Sequence, residues 1–265
     1  VRPRRTLRLL MGCNEESGMA DVMHYRTHYT PPMFSLCCDT GFPFHYGEKG
    51  RYVTRLTARV DRAELRELSG GSSPGSIAGE ATMRLGGDAA VRAAKAGGME
   101  GVSLVPCPDG TVEITARGRA GHTAFPEGTV NAIERLCAAV VRAQFLSDQN
   151  RAVLSFLAEA FGDYYGEGLG IAFADEPSGK LTHAGGMVWL EGDTLIQTVN
   201  IRYPITMKNA DEIRRRIRER AGACGFSLEE GEDSPPFYIP KDLPVMRLLD
   251  ETCRAFLDIG DNQPF

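Results

Sequence analysis

The sequence predicts a partial α/β domain over residues 1–49, a parallel sheet with helices. It is joined to an α+β lid domain of two related halves over residues 50–240, and residues 241–265 form a segment returning to the first domain. Three observations carry this reading. Before Gly50 the chain runs apolar segment, acid, helix, apolar segment, acid, which is the order of a parallel α/β sheet with ligand sites at the carboxyl ends of its strands. After Gly50 the texture changes to period-two alternation, the mark of half-exposed antiparallel strands. Through the middle, strands, a helix, a hairpin and a further helix occur twice over, without a short-period sequence repeat.

The elements follow in order. Thr6 to Met11 reads as a short buried strand that delivers Glu15 and Glu16 at its carboxyl end. Residues 18–28 read as a helix halted by Pro31-Pro32, and Met33 to Cys38 as a second buried strand with Asp39 at its tip. Arg51 to Val60 alternates as an antiparallel strand. Ser69 to Ser76 is a Gly- and Ser-rich loop, Glu80 to Leu85 a strand, and Asp88 caps a short helix through Lys95. Val102–Pro106 and Thr111–Arg117 flank a turn at Pro108-Asp109-Gly110. Helices are expected at 129–146 and 150–161. A hairpin pairs Leu181–Leu190 with Thr194–Tyr203 across Glu191-Gly192-Asp193, and a helix starts at Ala210 with Asn209 as its cap. A strand near Phe226 to Glu230, a Pro-rich stretch and a last helix over 244–257 close the chain.

Composition bounds the function. The chain has 265 residues, 42% apolar and 25% charged, with a net charge of −5, an ordinary soluble globular balance that does not point to nucleic acid. The arginines 214, 215, 216, 218 and 220 alternate with Glu212 and Glu219 at helical spacing and read as a solvated helix face. No apolar run approaches the roughly 20 residues that span a membrane, and Leu7 to Met11 is too short for a secretion signal. Seven scattered cysteines, none in a C-x-x-C pair, fit reduced thiols in a cytoplasmic protein. The two-half middle favours a monomer.

Two segments carry chemistry. In Gly12-Cys13-Asn14-Glu15-Glu16-Ser17-Gly18 two carboxylates are adjacent, and Cys38-Asp39-Thr40-Gly41 follows. Adjacent carboxylates repel, and a bound metal supplies the counter-charge while dividing their labour. One ligates, and the other handles the proton of a metal-bound water. A solvated turn is the plain alternative. In Gly118-Arg119-Ala120-Gly121-His122-Thr123-Ala124-Phe125-Pro126-Glu127-Gly128 a strand ends in a small-residue turn presenting His122 at a loop tip. His24 and His28 have metal-ligand i, i+4 spacing but lack the glutamate of H-E-x-x-H, where Tyr25 stands. His45 lies close in sequence to Asp39 as a supporting partner, and His183 reads as a surface residue of a strand.

Taken in order, these motifs resemble the PepV-like dipeptidases of the dinuclear zinc aminoacylase and carboxypeptidase superfamily. Further matches are Gly168-Leu169-Gly170-Ile171 through Leu181, and Asn200-Ile201-Arg202-Tyr203-Pro204. The resemblance covers nearly the whole chain. It implies a metal-dependent dipeptidase with two divalent metal ions, zinc first, with manganese or cobalt as alternatives, acting through a metal-bridging water. By position it makes Glu15 the general base, Glu16 a ligand of one ion and Asp39 a ligand of the other. It makes His122 the lid histidine that polarises the scissile carbonyl and Arg202 the arginine that holds the substrate carboxylate.

Two departures stand out. An asparagine of the family pattern falls on Gly75, which has no side chain to donate a hydrogen bond. The family's His-x-Asp motif would lie upstream of Val1 and its last histidine ligand downstream of Phe265, so the segment is expected to be inactive alone. A deacylase of N-acyl amino acids or diamines is a second reading. A non-catalytic α+β interaction module, its acidic pairs plain surface, is a third.

Overall fold

The computed structural model describes residues 5–14, 18–37, 44–96 and 99–256. Packing divides the chain into two units, residues 1–44 and 45–265. The first unit contains helix α1 (Ala20–His28). The backbone N–H of Ala20, at its start, is taken up by Oδ1 of Asn14 at 2.8 Å, which satisfies one of the donors a helix start leaves free.

The second unit is an antiparallel sheet with helices. Its order is β1 (Gly47–Glu48), β2 (Gly50–Arg59), β3 (Leu65–Gly70), β4 (Ser76–Ile77), β5 (Glu80–Leu85), α2 (Gly87–Ala96), β6 (Val102–Pro106), β7 (Val112–Arg117), β8 (Gly121–His122), α3 (Ala132–Arg142) and α4 (Asp148–Ala160). Then come β9 (Ala174–Asp175), β10 (Gly179–Lys180), β11 (Thr182–Ala184), β12 (Val188–Glu191), β13 (Thr194–Tyr203), α5 (Asp211–Gly222), β14 (Ser227–Leu228), β15 (Glu232–Ser234), β16 (Phe237–Tyr238) and α6 (Pro244–Phe256). The main sheet runs β14-β2-β13-β12-β3-β5-β7-β6, with β11 on β13 and β15 on β2. The two groups of strands meet at a short seam, where Gly70 faces Val188 and Ser69 faces Trp189.

One face of this sheet is buried. Leu56, Met83, Ile114, Val188, Val199 and Ile201 point the same way, as their registers require, and meet Ile133, Leu136, Leu154 and Ile217 from the helices. Helix α3 begins at Asn131, whose Oδ1 accepts the N–H of Ile133 at 3.0 Å, a side-chain cap of the usual kind. β13 is buried on both faces, while on β5 and β7 the opposite face is half-exposed and polar. Arg84 lies there between Glu67 and Glu113. On the exposed side of α5, Arg215 and Arg216 pair with Glu212, and such surface pairs contribute little to stability.

Several expectations hold closely. Glu80–Leu85, Val102–Pro106 and the 244-onward helix fall where the sequence puts them. The expected parallel sheet does not appear among the described residues, where every strand pair is antiparallel. Residues 6–11 and 33–37 lie in no strand, and Leu7, Met11 and Met33 are exposed. A strand exists only beside another that takes up its N–H and C=O groups, so an apolar run without such a neighbour remains irregular. Strand β3 went unread because a register shift between Leu65 and Glu67 erases its alternation. The Leu181–Leu190 arm of the hairpin is broken in two at Gly185-Gly186.

That break has a steric cause. The loop after β3 crosses here, with Gly71 at φ +73°, and a Cβ on Gly71 would stand 1.8 Å from the carbonyl oxygen of Gly186. Gly192 also has positive φ, +58°, but a Cβ there meets nothing within 4 Å. Gly71→Ala should therefore cost more than the roughly 1–3 kcal/mol of a strained φ alone, and Gly192→Ala only about 1 kcal/mol. Urea unfolding of the two variants checks the order.

Candidate functional site

His122 is carried on an arm that leaves the sheet after β7. Gly118 starts it, and a Cβ there would lie 2.1 Å from the carbonyl oxygen of Val130, so the two ends of the arm can run side by side only with glycine. Arg119 and Val130 exchange backbone hydrogen bonds at 2.9 and 3.0 Å. Gly121 serves close approach, because its Cβ would meet Thr129 Cγ2 at 2.4 Å. Strand β8 then pairs with β4, placing His122 opposite Ser76. Thr123 is fully buried and donates from both N and Oγ1 to the carbonyl of Gly75, at 3.1 and 3.0 Å. Tyr165 donates its hydroxyl to Glu127 at 2.9 Å, tying the far end of the arm to the body.

The imidazole itself is exposed. Its Nδ1 accepts the N–H of Ala124 at 3.1 Å. A neutral ring whose Nδ1 accepts carries its proton on Nε2, so Nε2–H is a donor free to act. Partial desolvation and then the positive charge of Arg202 lower its pKa from the ordinary 6.5, so it stays neutral at physiological pH. Following His122 by NMR should give a titration midpoint below 6.5, and Arg202→Ala should move it upward. A midpoint indifferent to Arg202 would show the two groups to be electrostatically independent.

Arg202 stands on β13, facing Thr182 of β11 on one side and Arg51 of β2 on the other. Desolvation and the like charge of Arg51 make its charged form less favourable, with Glu48 opposing. A half-buried guanidinium beside another cation is a setting that gains from an anion. Asn200 lies two residues back on the same strand face, 1% exposed, and Thr182 is 5% exposed. Nε of Arg202, Oδ1 of Asn200 and Oγ1 of Thr182 are sequestered from solvent without a hydrogen-bond partner, which is costly unless something supplies one.

The structure thus brings two predicted residues, His122 and Arg202, into electrostatic reach. Glu15, Glu16 and Asp39 lie outside the described residues. Among the described residues no three His, Cys, Asp or Glu side chains gather into a metal-holding group. His24 and His28 stack on each other, ring centroids 4.0 Å apart, and His45 is exposed. His183 corrects the sequence reading. It is fully buried, 3.9 Å from Asp163 and against Phe161, because both faces of β11 are covered. Strand alternation puts Asn200 on the face of Arg202, a placement the sequence reading did not use.

No protein-family model matches the chain. It is 26% identical over 261 residues to the "Putative dipeptidase YtjP" of Bacillus subtilis, covering 92% of this chain and 55% of that protein. It is 23% identical over 265 residues to the Beta-Ala-Xaa dipeptidase of Lactobacillus delbrueckii subsp. lactis, covering 94% of this chain and 54% of that protein. The chain spans about half the length of the curated relatives it matches. Among solved structures, the aminoacylhistidine dipeptidase of Vibrio alginolyticus aligns at a TM-score of 0.40 and 11% identity, over 80% of this chain and 49% of that one. No helix of the described residues is long and apolar enough to cross a membrane.

Proposed function

We propose that the protein carrying this chain is a metal-dependent dipeptidase, and that this segment supplies the groups that hold the substrate. The observation that carries the reading is the pair made by an uncharged His122, free to donate from Nε2, and a half-buried Arg202 lacking a partner at Nε. Similarity to dipeptidases along nearly the full chain supports it. Arg202 binds the free carboxylate of the dipeptide, where its planar fork bonds both oxygens. His122 donates to the carbonyl oxygen of the scissile bond as negative charge develops there. In this proposal Glu16 and Asp39 would hold divalent metal, two ions with zinc first, the metal would lower the pKa of a bound water, and Glu15 would take up that water's proton.

The test is a substrate panel on the complete protein with zinc or manganese added. Dipeptides containing Ala or Leu should be cleaved, and N-acetyl amino acids should not. Cleavage of the N-acetyl compounds alone would favour the deacylase reading. Absence of any hydrolysis with either metal would favour the non-catalytic one.

A further inference from the structure

We infer that Asn131 is a positioning residue: its buried side chain ties the turn after β11 to the start of helix α3 and so sets the spacing between His122 and Arg202. Its catalytic consequence rests on the dipeptidase reading and deepens it. His122 and Arg202 stand on different groups of strands. The arm of His122 leaves the sheet after β7, and helix α3 packs on β5, β6 and β7. Arg202 stands on β13, which pairs with β2, β11 and β12. The seam joins β3 to β12 at Gly70–Val188 and Ser69–Trp189. So short a ladder is a weak brace against rotation of one group of strands relative to the other. A second brace is needed if the two side chains are to keep one separation.

Asn131 lies where that brace belongs. It follows Val130, which closes the His122 arm on Arg119, and it is 3% exposed. Both ends of its amide are used. Oδ1 accepts the N–H of Ile133 at 3.0 Å, capping α3, and Nδ2 donates to the carbonyl oxygen of Gly185 at 3.1 Å. Capping needs only an acceptor, which serine or aspartate supplies as well, so the cap does not account for the donor. Gly185 follows Ala184, the last residue of β11, which faces Asn200 on β13. Behind it the turn is held to β13, where the carbonyl of Met187 accepts from Nε2 of Gln197 at 2.8 Å and from the N–H of Thr198 at 2.9 Å. In front, Gly186 packs on the backbone of Ser73 and Pro74, where a Cβ would stand 2.5 and 2.6 Å from their carbonyl oxygens. The next residue, Gly75, receives both hydrogen bonds of Thr123 and so carries the arm. The glycine contact limits how closely the two groups approach, and the Asn131 hydrogen bond holds them at that limit.

The test separates the tether from the cap. Asn131→Ser keeps a capping oxygen and removes the donor. Asn131→Asp keeps the cap and the size and sets an acceptor against the carbonyl of Gly185. Val140→Ala, at a buried position of the same helix, lowers stability with the tether intact. The first readout is the NMR titration midpoint of His122 in the complete protein, with and without Arg202→Ala. The rise that Arg202→Ala causes measures the coupling of the two groups. It should shrink in both Asn131 variants and keep its wild-type size in Val140→Ala. The second readout is kinetic. In Asn131→Ser, kcat/KM for dipeptides should fall about tenfold or more, since misplacement by about 1 Å can cost about 10²-fold. For dipeptide amides, which lack the carboxylate, the fall should be much smaller. A coupling unchanged in the Asn131 variants, or lost equally in Val140→Ala, would overturn the assignment. So would an equal fall for acids and amides, or failure of both Asn131 variants to fold. Reduced coupling in a protein that cleaves no dipeptide would refute the dipeptidase reading and leave the tether standing.

Discussion

Replacing Arg202 by alanine in the complete protein is expected to raise the KM for dipeptides about 10- to 100-fold, with kcat close to unchanged. In the proposed reading the carboxylate that Arg202 holds lies away from the bond that breaks, so its contribution is the same before and during the reaction, and such uniform binding appears in KM. The effect is large because the guanidinium is half-buried and already crowded by Arg51. Lysine should restore only part of the loss, since an ammonium cannot fork onto two oxygens. Dipeptide amides give the control. They lack the carboxylate, so wild type and variant should bind them alike. A variant with an unaltered KM for the free acid would remove Arg202 from the substrate site.

Replacing His122 by alanine is expected to act on the other parameter, lowering kcat about 10²- to 10³-fold with little change in KM. Nε2–H is aimed, in this proposal, at an oxygen that becomes negative only as the water attacks, so its hydrogen bond strengthens in the transition state. Folding should survive the change. The ring is exposed, and the arm is held by Thr123, Arg119 and Val130 rather than by the imidazole. Unchanged circular dichroism and urea midpoint would establish that. His122→Gln, which keeps a donor of shorter reach, should recover part of the rate. Full activity in His122→Ala would leave the arm a structural feature only.

Much of the second unit, residues 45–265, was legible, and particular residues show why. Glu80–Leu85 and Val112–Arg117 alternate cleanly because one face meets the helices and the other meets water. Asn209 announces a helix start, its side-chain oxygen accepting from Asp211, though the helix begins at Asp211 and not at Ala210. The cap at Asn131, which accepts from Ile133, fell inside the helix read from 129. The loop-tip setting of His122 followed from small residues around it, although Gly121 is glycine because Thr129 crowds it. His183 was misread because alternation along one strand carries no information about what covers its second face.

From sequence alone came most of the order of the elements, the solvated charge of α5 and the loop-tip setting of His122, each a local property fixed by spacing along the chain. Arg202 was named only by the resemblance to the PepV-like dipeptidases. Only the tertiary structure decided that His122 and Arg202 lie within electrostatic reach, that Arg202 shares its charge field with Arg51, and that Asn200 is buried with its Oδ1 unmatched. Those facts depend on strand register and on a glycine crossing between Gly71 and Gly186. Register pairs residues far apart in the chain, so no window of sequence contains it.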